Sequence, residues 1–114
     1  MKRDLYKDLE VVYVAGPITS ATQKEEDRRI LNAVKAGTIL YKEGKTPFIP
    51  HQNTHDFYLF EDFSWEDYLK MDLPILKRCD SIYMLKDWEH SKGARIELEH
   101  AKKWKLKIYY QEGR

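Results

Sequence analysis

A single cysteine, Cys79, leaves the chain unable to close an internal disulfide, and its place at the end of an apolar segment suits a small buried hydrophobe better than a reactive thiol. Five glycines and four prolines in 114 residues are too few for a collagen-like repeat or a low-complexity chain. No apolar run approaches the roughly 18 residues that span a bilayer, and the opening MKRDLYKDLE is charged where a secretory leader needs an apolar stretch. A soluble, cytoplasmic protein is the expectation. An excess of one charge is also lacking: 20 Lys and Arg against 19 Asp and Glu give +1, which supplies no field for holding a nucleic-acid polymer. The run Lys102, Lys103, Lys105 and Lys107 reads as a solvated face. His51, His55 and Asp56 raise the question of a metal, but no nearby Cys or HExxH pattern completes a site, so neither metal nor cofactor is expected.

What is present argues for folding. Hydrophobic residues make up 42% and charged residues 34%, at a length near the usual size of one domain, so residues 1–114 are expected to share one core. Eight tyrosines and three tryptophans are many for this length. Aromatics concentrate in subunit interfaces and over flat ligands, and a small α/β domain buries a limited share of its surface, so a homodimer or higher oligomer is expected.

Strand and helix alternate along the chain. Val11 to Ala15 is a β-rich run stopped by Gly16-Pro17, which predicts a strand buried on both faces. Lys24 to Glu43 predicts a helix with Ile30, Val34, Thr38 and Tyr41 inward, flanked by Leu31 and Leu40 and ended at Gly44. Thr46 to Pro50 predicts a short strand whose prolines favour an edge. His51 to Asp62 reads as a long polar and aromatic loop with a possible short turn of helix, and Ser64-x-x-Asp67 opens a helix that Pro74 should kink or restart near Asp72. Ser81 to Leu85 is a third strand, Ser91-Lys92-Gly93 opens a helix with Ala94, Leu98 and Ala101 inward, and Leu106 to Tyr110 is the last strand. Four strands with three crossovers imply an α/β three-layer sandwich, flavodoxin/Rossmann-like, on a mainly parallel four- or five-stranded sheet. Ligands in such folds sit outside the carboxyl ends of the strands, which selects the loops 16–23, 51–62 and 87–93.

The residues at those strand ends resemble the nucleoside 2-deoxyribosyltransferase-like superfamily, including its small nucleoside 5'-monophosphate N-glycosidases, and most of all its small uncharacterised members. The resemblance rests on Tyr13-Val14-Ala15-Gly16-Pro17, on Met71-Asp72 with Ile75-Leu76-Lys77-Arg78-Cys79-Asp80, on Asp87, and on Ser91 to Ala101. It implies N-glycosidic bond cleavage on a small-molecule nucleoside or nucleotide, by hydrolysis or by deoxyribosyl transfer. It places Glu97 as the nucleophile, Tyr13 as the group that orients it, Asp72 and Asp87 as sugar-binding or proton-handling acids, and Ser91 at a 5'-phosphate. Two departures stand against this: the chain end Tyr110-Gln111-Glu112-Gly113-Arg114 offers no counterpart to the transferases' terminal carboxylate, and Ile18 to Gln23 replaces the glycine-rich, arginine-bearing loop of some phosphate-cleaving members.

Chemistry alone leads to the same residues with other readings beside each. Glycosidic cleavage passes through an oxocarbenium-like sugar and needs a carboxylate under the anomeric carbon and a proton donor near the departing base. Glu97, three residues after Ala94 and four before Ala101, has inward phase close to a helix start, whose dipole should keep it ionised. An acid there also simply offsets the dipole. Asp72 reads equally as the cap of a restarted helix, Asp87 as a turn acceptor, Tyr13 as core and Ser91 as a helix cap that can share an anion with the free amides around Gly93. Gly16-Pro17 would supply a sharp turn for close backbone approach. His51 and Asn53 suit contacts to a base, while Trp65, Trp88 and Phe57 suit stacking on it or burial in core or interface. Retention of the anion site without turnover would make a nucleotide or nucleotide-sugar sensor. A phosphoryl-receiver module lacks its acidic cluster, because VYVAGP stands after the first strand.

Overall fold

In a computed structural model, residues 9–18 and 22–112 are described. The charged N-terminal stretch, the middle of the loop after the first strand and the last two residues fall outside them. Four strands, β1 (Val11–Ala15), β2 (Thr46–Phe48), β3 (Ser81–Met84) and β4 (Lys107–Tyr110), form one wholly parallel sheet in the order β2-β1-β3-β4. The chain runs from β1 outward to β2, then crosses back to β3 on the other side of β1. The order therefore reverses between β1 and β3, and the loops after those two strands flank the reversal. β2, with Pro47 inside it, is an edge strand, as its missing amide donor requires.

Helix α1 (Gln23–Lys42) covers one face of the sheet, while α3 (Trp65–Lys77) and α4 (Lys92–Lys103) cover the other. Alternation along β1 divides its side chains accordingly. Val12 and Val14 pack with Ala33, Ala36 and Leu40 of α1, whereas Tyr13 and Ala15 face Leu76 of α3 and Ala94, Leu98 and Ala101 of α4. Between β2 and α3 lie a one-turn helix α2 (Pro50–Asn53) and a 3-10 turn, His55–Leu59. Each long helix starts on a side-chain cap: Thr22 Oγ1 accepts from the Glu25 amide, Ser64 and Asp67 form a reciprocal capping box, and Ser91 Oγ accepts from the Ala94 amide at 3.1 Å.

Two sequence expectations are corrected here. The inward face of α1 is Ala33, Ala36, Gly37 and Leu40, with Thr38 and Tyr41 on the exposed side and Tyr41 71% exposed. Small residues win because the helix lies close to the sheet edge: a Cβ on Gly37 would come within 2.6 Å of Ile49 Cδ1. The other concerns Pro74. Trp65–Lys77 is one continuous helix with the proline inside it, so Asp72 sits in a helix interior and caps nothing. Cys79 is buried, as expected, and burial pushes its thiol up to about 11.

Candidate active site

Three elements bring polar side chains together beneath the sheet reversal. Tyr13 in the middle of β1 is fully buried, Glu97 lies in the second turn of α4 with 7% exposure, and Asp72 lies on α3 beside them. The Tyr13 hydroxyl donates a hydrogen bond to Glu97 Oε2 across 84 residues of sequence. Phe48, the residue paired in register with Tyr13 on β2, sets its ring 5.9 Å from the tyrosine ring. The sequence pattern does not single out Phe48; its register partner in the sheet is the signal that finds it.

The electrostatics differ from the expectation of an ionised nucleophile. Burial pushes the Glu97 carboxyl up to about 8, the nearby Asp72 charge adds to the rise, and the Tyr13 hydrogen bond only partly opposes it. The helix dipole does not win because Glu97 stands at the sixth position of α4, past the first turn where that field is strong. Burial also lifts Asp72, to about 6, and raises Tyr13 well above the ordinary phenol value, with Glu97 as the next cause. Burial thus raises both carboxyls of the cluster above their ordinary range and favours a shared proton there.

The remaining sequence-selected residues differ in burial and in partners. His51, in α2, is buried at 3% exposure, and burial brings its imidazole down to about 4, so the ring is neutral. The ring lies at the Pro17 backbone, yet neither nitrogen reaches hydrogen-bonding geometry with a described residue. Asp72 Oδ1 and Trp88 Nε1 are likewise buried and have no partner among the described residues. Among the described residues, His51, Asp72 and Trp88 hold all the buried side-chain polar atoms without a partner, and such atoms are rare enough in folded proteins to require a reason. The Trp88 ring packs 6.0 Å from Tyr110 rather than standing free as a stacking plate.

Asp87 follows β3 with its backbone in the left-handed region (φ 70°) and its side chain exposed, and no hydrogen bond joins it to Glu97. Gly16 has another reason than a positive φ: a Cβ there would lie 2.7 Å from Leu85 Cβ, so the glycine lets the ends of β1 and β3 pack. At Gly93, the second residue of α4, a Cβ would meet open space. Ser91 is the α4 cap, and Lys92 and Arg95 share its turn, with Lys92 Nζ 5.0 Å over the Trp65 ring. His55 pairs with Asp56 at 3.0 Å, and among the described residues no group of three His, Cys, Asp or Glu side chains is placed to hold a metal. No helix of the described residues is long and apolar enough to cross a membrane.

This parallel sheet with its reversal between β1 and β3 is the 2-deoxyribosyltransferase fold. The chain is similar to the 2-deoxyribosyltransferase of the psychrotolerant bacterium Bacillus psychrosaccharolyticus, with a TM-score of 0.65 and 24% identity over 88% of this chain and 70% of that one. It is also similar to a 2-deoxyribosyltransferase from Leishmania mexicana, with a TM-score of 0.60 and 16% identity over 89% of this chain and 63% of that one. No functionally curated protein matches the sequence. Residues 10–110 match the family described as "Domain of unknown function (DUF4406)", and the chain belongs to that family, within the nucleoside 2-deoxyribosyltransferase-like superfamily.

Proposed function

We propose that the chain cleaves the N-glycosidic bond of a nucleoside or nucleoside 5'-monophosphate, by hydrolysis or by deoxyribosyl transfer, with Glu97 as the nucleophile. The observation that carries this reading is the Tyr13 hydroxyl bonded to a buried Glu97 next to Asp72, below the point where the strand order reverses. The unpaired polar atoms of His51, Asp72 and Trp88 support it, since a polar ligand would pair them. The names of the two similar structures, both 2-deoxyribosyltransferases, point to the same chemistry.

In this reading the Glu97 carboxylate attacks the anomeric carbon while the bond to the base nitrogen breaks and its electron pair leaves with the base, which takes up a proton. Water or a second base then attacks the same carbon and frees Glu97. Glu97 must be ionised to attack, and two features favour that form in the reacting complex: the Tyr13 hydrogen bond and the positive charge growing on the sugar. Asp72 binds the sugar or passes a proton, and Asp87 delivers the base's proton from the loop after β3. The amides at the start of α4, with Ser91, Lys92 and Arg95, receive a 5'-phosphate, and the Gly16-Pro17 and Gly93 backbones border the ligand.

One observation favours a second reading. A carboxyl held at about 8 is mostly protonated in the free chain at neutral pH, which suits a nucleotide or nucleotide-sugar sensor that binds without turnover. Incubation with a panel of nucleosides and their 5'-monophosphates, with free base and reducing sugar followed by chromatography, separates the two. Base release that disappears in Glu97→Ala supports the enzyme; calorimetric binding with no base released from any substrate supports the sensor.

A further inference from the structure

His51 is the one buried histidine of the chain, and both of its ring nitrogens are enclosed with no hydrogen-bond partner among the described residues. An imidazole that served packing alone would leave two polar atoms desolvated, where a phenyl ring would fill the space without that cost. Enclosed and unpaired nitrogens call for a hydrogen-bonding partner from outside the chain.

His51 stands at the end of the sheet where ligands bind in this topology. β1 and β2 run parallel with Tyr13 opposite Phe48, so their carboxyl ends leave the sheet side by side. Beyond β1 the chain passes through Gly16 to Pro17; beyond β2 it enters α2, whose second residue is His51. The His51 ring meets the Pro17 backbone there. Pro17 is four residues past Tyr13, a separation of at most about 14 Å. A sugar held at Glu97 beside Tyr13 therefore has His51 further out along β1, past the strand ends. The turn that carries Pro17 is fixed: the Leu85 amide donates to the Ala15 carbonyl at 2.8 Å, and Gly16 packs so tightly that a Cβ on it would lie 2.7 Å from Leu85 Cβ.

The Pro17 backbone also decides where the ring carries its proton. Proline has no N–H, so a ring nitrogen facing its backbone meets a carbonyl and can only donate. Burial brings the imidazole down to about 4, so the ring is neutral and has a single N–H. With that N–H directed at Pro17, the other nitrogen is left as a bare acceptor. It suits a ligand N–H and opposes a ligand carbonyl. Adenine and cytosine carry an amino donor on the edge where guanine and thymine carry an oxo acceptor. We propose that His51 sets base specificity, accepting a hydrogen bond from the amino group of adenine or cytosine and rejecting the oxo group of their deaminated counterparts. This role rests on the reading of the Glu97 cluster as the sugar site.

Binding calorimetry tests it. Dissociation constants are measured for 2'-deoxyadenosine against 2'-deoxyinosine and for 2'-deoxycytidine against 2'-deoxyuridine, as nucleosides and as 5'-monophosphates, with wild type and His51→Phe. Wild type is expected to bind at least one amino-bearing ligand roughly tenfold or more tightly than its oxo counterpart, and His51→Phe is expected to bring that ratio close to one. Nitrogen-15 spectra of the histidine rings at pH about 6 are expected to show His51 as one neutral tautomer. Equal binding of both members of each pair, an oxo preference, or no binding of any of these ligands would overturn the proposal. So would a folded His51→Phe that keeps the wild-type ratio, or a protonated His51 ring at that pH. If His51→Phe does not fold, the wild-type ratios still decide. Base release is scored separately: an amino preference without base release would remove Glu97 as nucleophile and leave His51 in its role, and base release without the preference would do the reverse.

Discussion

Replacing Glu97 with glutamine is expected to remove a pH dependence of stability that the wild-type chain carries. Glu97 keeps its proton up to about 8 in the folded chain, against an ordinary value of 4.5. Below 4.5 both folded and unfolded chains hold the proton, and nothing is lost. Between the two values the unfolded chain releases a proton that the folded chain retains, so folding loses about 1.4 kcal/mol for each pH unit. The loss reaches roughly 3 kcal/mol at neutral pH and roughly 5 kcal/mol by the time Glu97 itself ionises. Glutamine has the same shape, offers a carbonyl oxygen to the Tyr13 hydroxyl and has no proton to release. Asp72, lifted to about 6, titrates in both proteins and cancels in the comparison. Urea unfolding of the two proteins from pH about 5 to about 8 should show Glu97→Gln gaining on wild type by about 1.4 kcal/mol per unit. Parallel stability curves would mean that the carboxyl ionises normally, and the burial argument for the site would fail.

Other outcomes follow from single contacts. With Glu97 as nucleophile, kcat/KM should rise with pH through about 8 and level off only above it, and Tyr13→Phe should lower it by roughly 10- to 100-fold, the worth of one hydrogen bond to a charged group. A decline through the same range would make Glu97 the acid instead. Gly16→Ala should cost about 1–3 kcal/mol in urea unfolding, because the new methyl collides with Leu85, and an unchanged midpoint would refute that contact. Lys105 closes α4 in the left-handed region (φ 61°), with the Leu106 amide on the Ala101 carbonyl and the Lys105 amide on the Lys102 carbonyl. Gly44 does the same for α1 without a side chain. Lys105→Gly should stabilise the chain by about 0.5–1 kcal/mol, since relief of left-handed strain exceeds the added entropy of the unfolded chain. A loss of stability would count against it.

The sheet was legible because its signals are local. Val11–Ala15 and Ser81–Met84 are unbroken β-rich runs, and Gly44, Ser64 and Ser91 mark helix ends through chemistry that acts over three or four residues. The inward face of α1 was not legible, because close approach to Ile49 and Pro47 favours Ala33, Ala36 and Gly37 over larger apolar residues, and that distance is set by tertiary packing. The continuity of α3 through Pro74 is likewise decided by packing beyond the local rule. In the candidate site, the inward phase of Glu97 came from its spacing to Ala94 and Ala101, but its protonation did not. Helix position argues for an anion, whereas burial and the Asp72 charge, contributed by another element, decide the opposite. The unpaired atoms of His51, Asp72 and Trp88 are visible only in the folded chain, because their burial is set by tertiary packing.

Covalent trapping tests the central claim most directly. The chain is incubated with a nucleoside that it turns over, quenched in acid and digested, and the peptides are read by mass spectrometry. The account predicts a glycosyl ester on the peptide containing Glu97, located at that residue by fragmentation and missing in Glu97→Gln. A glycosyl adduct on another residue, or undiminished base release by Glu97→Gln, would contradict it.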